Sequence, residues 1–559
     1  MAPNIGARLR PSTNANAVSV VNAAKIERVG DALPESPQRA RPATRDGEMT
    51  ENMIERLRAL SVSRATGTAL VTLDASGEKR YDYAGLDRRA RAIGAVLHGV
   101  DGEADAEAAH MPPRALLLMD SGVDYVAAFF GCLYAGVIAV PAYPPESLRG
   151  QHLSRLESIA ADAGASFILT TAALAGKLHD AFEKIAPRAE IVMVDTLDPG
   201  SDASSSFEPH RAVPSDIAFL QYTSGSTSAP KGVMVTHGSL WANELAIREG
   251  LGVRENDVFV SWLPLYHDMG LIGTLSQPVF SGIPLVLMSP QYFLERPVRW
   301  LEAIARHRGT ISGGPDFAYR LCADRVSEEQ RAALDLSSWR LAFSGSEPVR
   351  KATLGVFAER FAGVGFDPHA LFPCYGLAEA TLYVSGIAPG SGPRAPSFSA
   401  TGLAAGRAEG EGAGDGDGIP IVSCGKPVNG HALAIVDSES GIELGAGQIG
   451  EILVRGPSVA AGYWRRPEDS ARTFVERDGS RWLRTGDLGF LHEGELYVAG
   501  RIKDLLIVRG RNLYPHDLEL AIGADDRQRF EEPFEHRPGE RIANRVGCTA
   551  RARCVAVAD

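Results

Sequence analysis

From Arg114 onward the chain alternates short apolar runs with longer, partly polar stretches. Ala115–Met119 has the length and composition of a strand buried on both faces, and Tyr125–Tyr134 those of a buried helix. Val137–Val140 predicts a second strand, stopped by Pro141. A helix near His152–Ala163, a strand at Phe167–Leu169, a helix near Ala172–Phe182 and a strand at Ile191–Val194 continue the pattern. Such alternation implies a parallel sheet with helices on its faces, an α/β fold. A Ser-rich link, Ser201–Ser206, precedes a new apolar run at Ile217. Short strands at Leu433–Val436, Glu451–Val454 and Leu496–Val498 are spaced as in hairpins and predict a small β-rich subdomain. Residues 1–50 are rich in Pro, Ala, Asn, Arg and Ser without an apolar period, which predicts a disordered lead-in, with ordered sequence from near Met53. Gly386–Gly418 holds ten glycines in 33 residues and predicts a flexible loop or inserted segment.

Composition narrows the function. The 559 residues are 45% hydrophobic and 23% charged, and ample for several compact units. A net charge of −12 argues against a dedicated nucleic-acid binder, whose footprint is basic, while leaving room for an anionic ligand in a locally positive pocket. The six cysteines include no CxxC pair, so a zinc or redox motif is not expected, and a reducing cytoplasm suits them. No run of 18 apolar residues occurs, so no membrane span is expected. The first 26 residues lack Asp and Glu and contain Arg8, Arg10 and Lys25, but have no apolar signal-peptide core.

The strongest chemical signal is Tyr222-Thr223-Ser224-Gly225-Ser226-Thr227-Ser228-Ala229-Pro230-Lys231-Gly232. Small side chains let backbone N–H groups approach phosphate oxygens, hydroxyls add donors, and Lys231 adds a charge. It is not a Walker loop, which needs Gly, four residues, then Gly-Lys-Ser/Thr. A solvated linker would explain the small residues but not the Lys-Gly pair between apolar strands.

This string resembles the phosphate loop of the adenylate-forming superfamily of acyl-activating enzymes. Four further stretches follow in that family's order: Ser344-Gly345-Ser346-Glu347-Pro348, Tyr375-Gly376-Leu377-Ala378-Glu379, Arg484-Thr485-Gly486-Asp487 and Gly500-Arg501-Ile502-Lys503-Asp504. They are similar to its adenine-side, Tyr-Gly-x-x-Glu, ribose and hinge motifs. The resemblance covers roughly Met53 to Glu519. It implies a carboxylate attacking the α-phosphate of ATP to give acyl-AMP and pyrophosphate, a reaction catalysed by positioning and electrostatics. On that reading Thr223–Thr227 and Lys231 hold phosphates, Ser344–Pro348 and Tyr375–Ala378 hold adenine, and Asp487 accepts from ribose hydroxyls. Arg501 assists at ribose or phosphate. Glu379, a hard oxygen ligand, would bind Mg²⁺. Lys503 and Asp504 mark the hinge of a mobile small domain. His267 and Asp268, in Trp262-Leu-Pro-Leu-Tyr-His267-Asp268, would lie between acyl pocket and nucleotide; a structural His is the alternative. Gly314 and Phe317 would line the acyl tunnel by the same resemblance.

Three details resemble the fatty acyl-AMP ligases in particular: Ser228-Ala229-Pro230, Pro141-Ala-Tyr-Pro-Pro145, and the Gly-rich segment placed between Glu379 and Val422-Ser-Cys-Gly425. The ligases carry an insertion there that is thought to restrict the small domain and block transfer to coenzyme A. The resemblance implies a fatty acid substrate and, as acceptor, the phosphopantetheine thiol of a holo acyl carrier protein, often of a polyketide or peptide synthase. An acyl-CoA synthetase is the alternative. Residues 51–503 would then form the adenylation core, with parallel sheets between helices and a small β-rich subdomain. Residues 504–559 would be an incomplete C-terminal α+β lid. Between Asp525 and Arg545, 11 of 21 residues are Asp, Glu or Arg, and no lysine follows Lys503, so the family's late Gly-Lys motif is absent. A nucleotide-binding chain with little turnover is therefore a further reading.

Overall fold

The computed structural model describes residues 52–99, 111–144, 151–223, 230–410 and 418–504, and the backbone of two short strands, Leu506–Val508 and Arg511–Leu513. The lead-in at 1–50 and nearly all of 504–559 lie outside the described residues.

Three sheets dominate. In a six-stranded sheet Glu190–Met193, Phe167–Thr170, Arg114–Leu117, Ile138–Pro141 and Ile217–Thr223 lie side by side in parallel, and Lys231–Thr236 closes the edge antiparallel to the last. A nine-stranded sheet places Leu371–Gly376, Leu341–Ser344, Ile311–Gly314, Phe259–Ser261, Leu285–Met288 and Thr68–Asp74 in parallel, with antiparallel strands at both ends. The third sheet is antiparallel and contains Ala432–Val436, Gly450–Arg455, Ser480–His492 and Glu495–Arg501. The apolar four-residue strands are buried along their whole length, as parallel strands covered on both faces must be.

Helix Val123–Ala135 is apolar all round and buried from Tyr125 to Tyr134, the pattern of a helix enclosed by other elements. It packs closely on helix Tyr83–Gly99: a Cβ on Gly131 would stand 2.6 Å from Ile93 Cγ2. One hydrophobic core runs from these helices through both large sheets and reaches Ile452 and Leu483 in the third.

Two expectations change. The Ser-rich link is a short helix, Asp202–Ser206, because Ser201 caps it by accepting from the Ser204 N–H. The Gly-rich segment is built rather than loose over its described part. Strand Ser397–Ser399 pairs with Gly418–Pro420, and Ala400–Ala404 is helical. Phe398 packs edge-on against Phe490 and Tyr497, with Leu403, Ala408 and Ile421 completing a small core. Glycine content signalled a loop, but a few apolar anchors suffice to dock it. Residues 411–417 lie outside the described residues.

Candidate active site

The phosphate-loop motif bridges an edge hairpin of the six-stranded sheet. Thr223 and Lys231 are cross-strand partners there, so the ends of the loop are fixed. Ser224, Gly225, Ser226 and Thr227 lie outside the described residues. Arg466 ties the hairpin base, donating to Asp162 Oδ1 (2.8 Å) and to the Pro230 carbonyl (3.4 Å), while the Tyr222 hydroxyl donates to Asp162 Oδ2 (2.8 Å).

Lys231 Nζ stands 3.3 Å from Asp469 Oδ1 and 5.0 Å from the centre of the Tyr463 ring. The Tyr463 hydroxyl donates to Glu379 Oε1 at 2.8 Å. A cation, an aromatic face and a carboxylate thus lie in one line, with Tyr463 as the link. Burial pushes the Tyr463 phenol up and the Glu379 charge adds to this, so it stays a donor. Burial also raises Glu379; the Tyr463 bond opposes this, and Asp268 and Asp487 raise it further. Asp268 and Asp487 thus both lie close enough to Glu379 to repel its charge.

Glu379 owes its place to a cramped turn. A Cβ on Gly376 would fall 1.8 Å from the Leu382 carbonyl oxygen, so only glycine fits. The turn Ala378–Ala380 closes with Leu377 N–H donating to Leu382 O (2.9 Å). Thr381 then takes φ 69°, ψ −58°, a γ-turn conformation rarely tolerated by a β-branched residue. Its hydroxyl donates to the Ser458 carbonyl at 2.6 Å.

Asp487 is buried beside Arg501, its cross-strand partner (Nε to Oδ1 3.3 Å), and accepts from the Tyr375 hydroxyl at 2.8 Å. Burial raises its carboxyl; Tyr375, Arg501 and Lys503 pull it back. Lys503 and Asp504 lie in the turn Ile502–Asp504 that follows the hairpin. His267 Nδ1 contacts Asp268 Oδ1 at 2.7 Å on a ring that is 52% exposed. The Asp268 charge holds the imidazole above its ordinary range against the opposing effect of burial.

The Ser344–Pro348 segment leaves the strand Leu341–Ser344 at its carboxyl end. Ser344 accepts at its carbonyl from Cys374 Sγ (3.5 Å). Ser346 has φ 69° and its hydroxyl lies 3.0 Å from Met269 Sδ. Glu347 Oε1 accepts from the Phe317 N–H (2.8 Å), while Pro348 follows outside any regular element. Beside this loop a pocket of about 510 Å³, including its open mouth, is walled by Ile247, Leu251, Met269, Gly273, Leu382 and Tyr383, with Gly345, Ser346, Tyr375 and Gly376 also on its wall.

The structure links Lys231 through Tyr463 to Glu379, and Arg501 through Asp487 to Tyr375, which also lines the apolar pocket. It does not place Gly314 and Phe317 on that pocket's wall. A Cβ on Gly314 would meet the Trp262 ring at 2.7 Å, and Phe317, 43% exposed, contacts Trp262 edge-on. Sequence reasoning missed Tyr463 and Asp469, although Gly462-Tyr463-Trp464-Arg465-Arg466, an aromatic pair followed by two arginines, was a usable signal. It also missed Ile247 and Leu251, which read as ordinary helix-core residues.

Parallel sheets with nucleotide-sized space at the carboxyl ends of their strands define an α/β nucleotide-binding enzyme. The chain belongs to the AMP-binding enzyme family, whose model matches residues 62–464. It is 43% identical over 458 residues to the medium-chain-fatty-acid–acyl-carrier-protein ligase JamA of Moorena producens, covering 80% of this chain and 76% of that one. It is 41% identical over 445 residues to the long-chain-fatty-acid–AMP ligase FadD26 of Mycobacterium marinum, covering 76% and 73%. A solved structure of fatty acyl-adenylate ligase from L. pneumophila, in complex with acyl adenylate and pyrophosphate, superposes with TM-score 0.74 at 39% identity, covering 85% of this chain and 81% of that one.

Proposed function

We propose that this chain is a fatty acyl-AMP ligase: it joins a fatty acid to AMP, releases pyrophosphate and hands the acyl group to the phosphopantetheine thiol of an acyl carrier protein. The observation that carries this is a pair of contact chains, Lys231 through Tyr463 to Glu379 and Asp487 to Tyr375, the last a wall residue of an apolar pocket. The family and the relatives named above support the same chemistry. In the reaction a carboxylate oxygen bonds to the α-phosphorus of ATP as the bond to pyrophosphate breaks. Charge stays on phosphate oxygens throughout, so positioning and charge compensation carry the catalysis.

The residues divide that work. Lys231 offers its ammonium to phosphate oxygens arriving in the loop it closes. Asp487 accepts from the ribose hydroxyls, and Arg501 beside it favours its charged form against the effect of burial. Tyr375 lends its ring edge to the nucleotide wall while its hydroxyl fixes Asp487. Glu379 suits a hard cation: it is half-buried, repelled by two carboxylates, and among the described residues no cation pairs with it. No group of three or more His, Cys, Asp or Glu forms a metal cage among the described residues. A cation at Glu379 would therefore share its shell with phosphate oxygens, as Mg²⁺ does in nucleotide sites. Bound there, Mg²⁺ would supply charge to the triphosphate. We assign residues 51–503 to the adenylation core and 504–559 to the start of its C-terminal lid. No helix among the described residues is long and apolar enough to cross a membrane.

The test is pyrophosphate release from ATP, Mg²⁺ and fatty acids of graded length. Release that drops by roughly 10²- to 10³-fold in Glu379→Ala supports the ligase. ATP binding without release above that control points to a nucleotide-binding chain that does not turn over. Coenzyme A and holo acyl carrier protein are then offered separately; rapid acyl-CoA formation would favour a synthetase.

A further inference from the structure

From Leu271 to Phe280 every residue is buried except Gly273, which is half-buried. Leu271–Ser276 is a π-helical turn, a geometry that occurs mostly at functional places in helices. Gly273 opens on the apolar pocket, whose wall it shares with Leu382. A Cβ on Gly273 would stand 3.1 Å from Leu382 Cδ2. Beyond its own helical backbone and chain neighbours, that Cβ would meet nothing else within 4 Å. The absent side chain therefore leaves a recess in the pocket wall, and the tip of Leu382 rests in it.

The backbone of Leu382 cannot easily retreat. Its carbonyl accepts from the Leu377 N–H at 2.9 Å. The next residue, Tyr383, is clamped by Asn243, which is fully buried on helix His237–Gly250. The Tyr383 N–H donates to Asn243 Oδ1 (3.1 Å), and its carbonyl accepts from Asn243 Nδ2 (2.9 Å). Carbon atoms pack best about 3.5–4.0 Å apart, so a methyl at position 273 would crowd Leu382. With the backbone held on both sides, the side chain must give, and a change of rotamer swings its methyls out of the recess into the pocket.

The contact also has a place along the pocket. Met269 touches Ser346 at the nucleotide end. Gly273 lies one helical turn further on, about 6 Å at 1.5 Å per residue. An extended acyl chain advances roughly 1.25 Å per bond, so it reaches this point after about five carbons.

Resting on the ligase reading, we propose that Gly273 and Leu382 together set the bore of the acyl pocket. Gly273 determines specificity by what it lacks. It houses Leu382 and so lets a medium-length fatty chain pass, whereas a side chain at 273 confines the pocket to short acids. Leu382 ends the turn that carries Glu379, so one turn serves both the acyl wall and the carboxylate.

The probes are butanoyl and octanoyl sulfamoyl adenosines, stable mimics of the acyl-adenylate whose binding needs no turnover. Each is titrated calorimetrically into the full chain. The readout is the octanoyl-to-butanoyl affinity ratio, which partial loss of folded protein does not alter. In the wild type this ratio is expected to be about tenfold or more, because each buried methylene adds to binding. Gly273→Val should lower it about tenfold. Gly273→Ala, too small a change to unfold the segment, should lower it by a smaller factor. Adding Leu382→Ala to Gly273→Val clears the pocket again and should bring the ratio to within about threefold of the wild type. A ratio unmoved in Gly273→Val, or in Gly273→Ala where the valine variant does not fold, overturns the recess and leaves the ligase reading intact. So does a ratio that stays low in the double variant, or a wild type that binds both mimics equally. Failure of both mimics to bind the wild type overturns the ligase reading and the recess with it.

Discussion

At the scale of single residues, Tyr463 holds the site together. Its ring faces Lys231 and its hydroxyl faces Glu379. Tyr463→Phe keeps the ring and removes one hydrogen bond to a charged group, worth about 1.5–3 kcal/mol. Adenylate formation is expected to fall roughly 10- to 100-fold with little change in melting temperature, measured by pyrophosphate release and calorimetry. His237 makes a different kind of contribution. It is 4% exposed, its Nδ1 has no partner, and burial lowers its pKa from 6.5 to about 4, against a smaller opposing effect of Asp216. The unfolded chain thus binds this proton more readily than the folded one. Stability is full above pH 6.5, declines as the pH falls toward 4, and has lost about 3 kcal/mol below that. Urea melts between pH 7 and 4 should show this slope, and His237→Gln should flatten it.

At the scale of elements, the Gly-rich segment behaves as a docked flap. Phe398→Ala removes the ring that packs on Phe490 and Tyr497, a loss of about 3–5 kcal/mol for a buried aromatic. Limited proteolysis is expected to cut within 387–410 far faster in the variant, while the large sheets melt as before. This segment also marks how far sequence reasoning reaches. Apolar runs such as Ala115–Met119 and Phe167–Leu169 announced the six-stranded sheet because a doubly covered strand must be continuously apolar. The segment's own order depends on Phe398 meeting residues near position 490, a pairing that no local period encodes. The site divides in the same way. Motifs held within one turn, such as Tyr375–Glu379, were legible. Tyr463, the Trp262 surroundings of Gly314 and Phe317, and the pocket face of Ile247 and Leu251 are products of folding across hundreds of residues.

At the scale of the molecule, both large sheets share one core around helix Val123–Ala135. Gly131→Val would drive side-chain atoms into Ile93 and is expected to cost about 1–3 kcal/mol. Because the core is continuous, calorimetry should show the described body melting earlier as one transition rather than splitting into two. The same continuity sets a tension at Thr381. Its backbone stands in a conformation costing on the order of 1–3 kcal/mol, and its hydroxyl is anchored to Ser458 across a domain-scale gap in sequence. Thr381→Gly would release the strain and free the turn that carries Glu379. It would also give up the buried hydrogen bond to Ser458, a loss of about 1–3 kcal/mol, so its melting temperature should change little while pyrophosphate release falls. A strained backbone and the bond that holds it in place thus meet in one residue, and the carboxylate two positions before it inherits the rigidity of both.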